Sequence, residues 1–132
     1  MASEEDLAVW SPDRVRELEA ALERRDRDIR ATVALDDDSS VVAFTELRVS
    51  RTRNAIAGTE DTAVLAAHRR RGLARWVKLE SLQQLRRDRP DVDLVTTTND
   101  ETNEAMLALN RALGFEPVAV YTSCVLDLAP QW

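Results

Sequence analysis

Asp61-Thr62-Ala63-Val64-Leu65-Ala66 has the make-up of a short strand, and Ala67-His68-Arg69-Arg70-Arg71-Gly72-Leu73-Ala74 leads from it into a helical pattern. Leu73, Trp76, Val77, Leu79, Leu82 and Leu85 form the apolar face expected of that helix, and Pro90 ends it. A strand, a basic turn with one glycine and a helix together make an anion site. The first turn of a helix presents N–H groups without intrahelical partners and a partial positive charge, which suit phosphate oxygens. Three arginines at that end oppose the helix dipole, a misfit that an anionic ligand relieves. The bland alternative is a solvated basic helix start. The Gly-Lys-Ser/Thr ending of a Walker loop is absent, and only one of the three glycines of a dinucleotide fingerprint is present.

Upstream, residues 1–10 are small and acidic and read as a disordered terminus. Ser11-Pro12 pairs an N-cap with proline at the first helical position, and Val15, Leu18 and Leu22 give residues 11–28 one apolar stripe. Arg30 to Leu35 and Val41 to Val49 are strands joined by the polar turn Asp36-Asp37-Asp38-Ser39-Ser40, most simply an antiparallel hairpin. The three aspartates are a turn and not a metal site, because no further ligands are spaced around them. Residues 50–59 are a loop before the strand at 61–66. Downstream, Val92 to Thr97 is a strand. Asn99 or Asp100 can cap a helix carrying Ala105, Met106, Leu109 and Leu113, and Gly114 fits the left-handed position after it. Val118 to Leu128, with Tyr121 and Cys124, reads as a final strand. The order α-β-β-β-α-β-α-β predicts an α/β (α+β) fold, a mixed sheet covered by helices.

The chain has 132 residues, enough for one domain over 1–132 with one core. Eighteen Lys and Arg against twenty-four Asp and Glu give a net charge of −6, which argues against a nucleic-acid or anionic-membrane partner. No apolar run is long enough for a membrane span and no signal-peptide pattern opens the chain, so a soluble cytoplasmic domain is expected. Cys124 is the only cysteine and His68 the only histidine, which excludes an internal disulfide and a Cys/His zinc cluster. Cys124 is expected to be a small buried residue, Trp76 to pack inward, and His68 to be a loop or strand-end residue rather than a catalyst. Only three glycines occur, Gly58, Gly72 and Gly114, where about nine would be usual, so each is expected where the backbone needs it.

Two stretches carry a family resemblance. Thr62 to Ala74 resembles the acetyl-CoA signature of the GNAT superfamily of N-acetyltransferases, whose Gln/Arg-x-x-Gly-x-Gly/Ala pattern is met by Arg69, Gly72 and Ala74. Thr98-Asn99-Asp100-Glu101-Thr102-Asn103 through Asn110-Arg111-Ala112-Leu113-Gly114-Phe115 is similar to the later strand end, helix and closing Leu-Gly-Phe of the same superfamily. The resemblance spans residues 29–128, taken as the acetyl-CoA-binding core, and points to actinobacterial-type tandem or mycothiol-synthase-like members. It implies a mixed, largely antiparallel sheet flanked by helices. Only one helix precedes the hairpin, so the usual first strand and helix are lacking. The chain would then be half of a tandem protein, a chain missing its start, or a subunit completed by another copy as a homodimer.

The resemblance also implies a site. The pantetheine arm of acetyl-CoA, the co-substrate, would lie on the backbone of Thr62, Ala63 and Val64. The pyrophosphate would lie on the amides of Arg70, Arg71, Gly72, Leu73, Ala74 and Arg75, beyond the motif's Arg69, with Asn103 as a coenzyme-contacting asparagine. The reaction would be direct attack of a small-molecule amine on the thioester, which needs a polarised carbonyl, a base and a donor to the departing thiolate. Glu60 and Asp61 are the base candidates, with ordinary strand-end carboxylates as the bland alternative. Asn110 stands where many relatives have the tyrosine that protonates the thiolate, and Tyr121 is the only phenol that could substitute. The rival functional reading is a catalytically degenerate domain serving as a dimerisation or regulatory module.

Overall fold

The computed structural model describes residues 11–24, 27–51 and 56–129. The elements are α1 (Pro12–Arg24), β1 (Arg27–Leu35), β2 (Val41–Ser50), β3 (Ile56–Val64), a short 3₁₀ turn (Ala66–His68), α2 (Leu73–Asp88), β4 (Leu94–Thr96) and α3 (Glu104–Ala112). They form a four-stranded sheet in the order β1-β2-β3-β4, antiparallel except for the parallel β3–β4 pair. The largely antiparallel sheet with flanking helices is the expected fold class. The predicted residues 1–10 terminus lies outside the described residues.

Local chemistry explains most boundaries. The Ser11 hydroxyl accepts the Arg14 amide at 3.2 Å, so the Ser-Pro cap starts α1 as its residue types predict. The helix ends at Arg24, earlier than 28. Arg27 and Asp28 instead pair with Ser50 and Val49, and Arg51 donates to the Asp28 carboxylate at 2.6 Å, so sheet pairing outweighs helical propensity there. In the hairpin turn, the Asp36 carboxylate accepts the amides of Asp38 and Ser40 at 2.9 and 3.0 Å. After α3, Gly114 has φ +98°, the Phe115 amide donates to the Asn110 carbonyl and the Gly114 amide to that of Arg111. These bonds satisfy carbonyls that the helix end leaves open, as expected for the left-handed closing residue.

The core lies between the sheet and α2. Ala43, Thr45, Leu47 and Val49 alternate onto one face of β2 and are buried. Val77 packs against Ala34, Val42 and Ala43, and Leu85 against Leu47, Val49 and Ala57. The buried row of α2 is Val77, Lys78, Ser81 and Leu85. Trp76 is 62% exposed and Leu79 40%, contrary to the inward face expected from the apolar count. At 100° per residue both fall on the side of the helix away from that row.

The predicted last strand is also corrected. Residues 118–128 join no ladder, and Val118, Val120, Val125, Leu126 and Leu128 are exposed. Strand-forming residue types do not make a strand without a paired partner. Cys124, expected to be buried, is exposed on this segment. No described helix is long and apolar enough to cross a membrane.

Candidate active site

β3 organises the site because it loses a neighbour halfway along. It pairs with β4 only through Ile56–Leu94, Ala57–Val95 and Gly58–Thr96. The strand then continues to Val64 beside β2 alone, so Thr59 to Val64 keep an outer edge whose peptide groups are not taken by β4. Such an edge offers hydrogen bonds to an extended ligand that carries amides of its own. Thr62, Ala63 and Val64, the expected pantetheine contacts, are on this edge.

The chain leaves β3 through a tight turn into α2. The Leu65 amide donates to the Val42 carbonyl at 2.9 Å, and the Arg69 Nε donates to the Val64 carbonyl at 3.2 Å, so the Arg69 side chain ties the turn to the strand end. His68 sits in the 3₁₀ turn, as a loop residue should. Arg70 has φ +65° and Gly72 φ +75°, two left-handed positions that swing the backbone around the start of α2. No side chain caps the helix at Gly72. Among the described residues, nothing accepts a hydrogen bond from the amides of Arg70, Arg71, Gly72, Leu73, Ala74 and Arg75. A Cβ placed on Gly72 would meet no atom within 4 Å, so the backbone there is open on that side. Free donors, a helix dipole and exposed Arg69, Arg70, Arg71 and Arg75 fit a pyrophosphate.

On the other face of the sheet, opposite α2, lies a carboxylate cluster created by a bulge. Thr45 pairs with Thr62 and Leu47 with Thr59, so Glu46 of β2 faces two residues of β3, Glu60 and Asp61. Glu60 is engaged by Arg48 at 2.9 Å. Glu46 is half-buried, and its carboxyl is held above the usual carboxylate range first by burial, then by the negative charges of Asp61, Glu19 on α1 and Glu60. The sequence reading names Glu60 and Asp61 but misses Glu46. Its signal is a single acid between the inward Thr45 and Leu47 of a strand whose inner face is otherwise committed to the core.

The predicted residues downstream are placed differently. Asn103 caps α3, its side chain accepting the Met106 amide at 3.2 Å, while Asp100 accepts the amide and hydroxyl of Thr102 instead of capping the helix. Asn110 is buried and donates from Nδ2 to the Asn99 side chain at 2.5 Å, while its Oδ1 has no partner. Tyr121 is 82% exposed on the unpaired segment and is not brought to the carboxylates. Between α2 and the sheet, a cavity of about 10 Å³ is lined by Thr45, Leu47, Thr59, Ser81, Leu82 and Phe115 together with the buried Lys78.

A half-paired strand feeds a glycine-containing turn and a helix N-terminus, and the model of the acetyltransferase (GNAT) family matches residues 1–115. The chain belongs to the GNAT acetyltransferase family. A tandem GNAT protein from the clavulanic acid biosynthesis pathway is 36% identical with a TM-score of 0.75; the match covers 80% of this chain and 33% of that one. The chain thus spans about a third of that protein, and the expected likeness to tandem members is met. A putative acetyl transferase from Pyrococcus furiosus shares the fold at 16% identity and TM-score 0.70, with 86% of this chain and 76% of that one covered. So does AAC(6')-Iy, solved in complex with the bisubstrate analog CoA-S-monomethyl-acetylneamine, at 17% identity and TM-score 0.62, with 87% and 82% covered. No curated protein matches the chain. Acetyl transfer is the general chemistry of the family to which the chain belongs.

Proposed function

We propose that this GNAT domain moves an acetyl group from acetyl-CoA to a primary amine by direct attack of the amine on the thioester. The observation that carries the reading is a pair of stretches with unengaged backbone, the outer edge of β3 at Thr59–Ala63 and the amides of Arg70–Arg75, joined by the turn that Arg69 ties to Val64. A coenzyme laid along them has its pyrophosphate at the start of α2 and its thioester at the level of Thr59 to Asp61. There the bulge of Glu60 and Asp61, with Glu46 opposite, supplies negative charge for a cationic acceptor. Glu46 is the base this arrangement favours. Burial and neighbouring charge raise its proton affinity, and Glu60 is already held by Arg48. The amine nitrogen bonds to the acetyl carbon, the carbon–sulfur bond breaks, and the nitrogen's surplus proton leaves to the carboxylates, directly or through water.

Calorimetric titration of the chain with acetyl-CoA, repeated with Gly72→Glu, tests coenzyme binding. Micromolar affinity lost in the variant, followed by acetyl-CoA-dependent acetylation in a panel of primary amines, is the expected result. A folded wild type that binds no coenzyme refutes the reading. Coenzyme binding without transfer to any amine would support the degenerate module, which the exposed Tyr121 and the engaged Asn110 amide favour.

A further inference from the structure

Direct attack on a thioester leaves a thiolate, and neither residue expected to meet it is placed to do so. The Asn110 amide is given to Asn99, and Tyr121 lies exposed on the segment after α3. Lys78 is different. It points from α2 into the core, is 4% exposed, and holds its Nζ 5.9 Å from the centroid of the Phe115 ring. Among the described residues no hydrogen bond or ion pair reaches that nitrogen. A buried cation without a counter-ion is costly, and a leucine at this place in the core would avoid the cost. The surroundings are polar enough to receive a ligand atom. Ser81, one turn further along α2, has a buried Oγ with no partner and lines the same cavity, as do Thr45 and Thr59.

The position of the cavity matters as much as its contents. Thr59 is the first residue of β3 beyond the last β4 pair, and it lines the Lys78 cavity, so the cavity lies beside the inner end of the unpaired edge. From Val64 to Thr59 the strand runs about 16 Å. A coenzyme anchored at the start of α2 and lying on that edge therefore brings its sulfur toward Thr59. We propose that Lys78 receives this sulfur: the ammonium faces the departing thiolate as the carbon–sulfur bond breaks and gives it a proton. The electron pair of the broken bond goes to sulfur, the proton comes from Lys78, and solvent restores it after coenzyme A leaves. This inference rests on the acetyl-CoA reading above.

The acid–base match is reasonable. Burial alone holds the Lys78 amine below its ordinary 10.5, with no carboxylate contributing, and a thiol titrates near about 8.5. The residues lining the cavity with Lys78 are uncharged: Thr45 and Leu47 from β2, Thr59 from β3, Ser81 and Leu82 from α2, and Phe115 after α3. Lys78 thus has no anionic partner among the described residues.

The test uses free coenzyme A and needs no acceptor. In a Cys124→Ser background, which removes the protein's exposed thiol, ultraviolet absorbance of the thiolate is followed against pH for bound coenzyme, and affinity is measured by calorimetry. The bound thiol is expected to ionise about one pH unit below the free one, roughly a tenfold gain in thiolate below that range. Lys78→Met should return it to the free value while affinity stays within about threefold. Lys78→Arg should keep most of the shift because it keeps the charge. Bound coenzyme whose thiol titrates as it does free, or a shift that survives in Lys78→Met, overturns the role of Lys78 and leaves the coenzyme site standing. Failure of the folded wild type to bind coenzyme A overturns both. If Lys78→Met does not fold, the wild-type titration and Lys78→Arg decide: an unshifted wild-type thiol or loss of the shift in Lys78→Arg is negative.

Discussion

Replacing Gly72 with alanine separates what the turn costs from what it binds. At φ +75° and ψ 16° the residue is left-handed, and an added Cβ meets nothing within 4 Å. The stability cost is therefore conformational only, about 1–2 kcal/mol for a residue with a side chain in that region. For a domain of this size that lowers the melting temperature by about 3–10 °C. Binding is affected through a different term. The methyl group occupies open space beside the unengaged amides of Arg70–Arg75, so a phosphate bound there as proposed must give up or lengthen at least one charge-assisted bond. Each such bond contributes about 1.5–3 kcal/mol, which predicts acetyl-CoA affinity weakened by about 10- to 150-fold. Gly72→Asn is the control, because asparagine tolerates the left-handed region. It should recover most of the melting temperature and none of the affinity. Thermal melts and calorimetry on the three proteins suffice. A stable Gly72→Ala protein with wild-type affinity would refute the placement of phosphate at these amides. Equal affinity loss in step with stability would show that the turn matters only for folding.

Glu46→Gln should lower kcat/KM by about 100-fold or more and shift or remove the acid limb of its pH profile, because activity is lost as the pH falls through the raised pKa of that carboxyl. The same substitution should stabilise the fold at neutral pH and lose that benefit in acid. A carboxyl whose folded pKa is raised binds more protons folded than unfolded, so its charged form weakens the fold as pH rises. Denaturant melts at two pH values would show this, and an equal effect at both would count against it. Asn103→Ala should cost about 1 kcal/mol by removing the cap of α3, read from a thermal melt; if the cap is its main role, acetyl-CoA affinity stays within about twofold, and a selective loss of affinity identifies Asn103 as a coenzyme contact. Trp76→Gln should change stability by less than about 0.5 kcal/mol in the same melt, since the indole is mostly in solvent.

The features legible from residue types alone are those whose physics is local. Ser11-Pro12 starts α1, the Asp36 turn closes the hairpin, and Gly114 ends α3 because each satisfies backbone groups within a few residues of itself. The loop at Arg69–Ala74 is equally local. One glycine and an uncapped helix start are sufficient to leave a set of amides facing solvent. The family resemblance then attached a coenzyme to that loop, and the match over residues 1–115 supports the family.

What the tertiary structure decided depends on contacts between distant parts of the chain. Sheet register set one residue of β2 against two of β3 and so made a base candidate of Glu46, a residue unremarkable in its own strand. Helix rotation turned Trp76 outward and Lys78 inward, because the buried row of α2 is fixed by the sheet beneath it and not by the number of apolar residues nearby. Residues 118–128 have strand composition but no ladder, since a strand is completed only by hydrogen bonds to a partner. The sequence alone therefore determined the cap of α1, the turns and the uncapped loop before α2, where partners lie within a turn of backbone. Only the folded sheet and the rotation of α2 decided which charged side chains are buried, because the burial and proton affinities of Glu46 and Lys78 are set by neighbours far away in the chain.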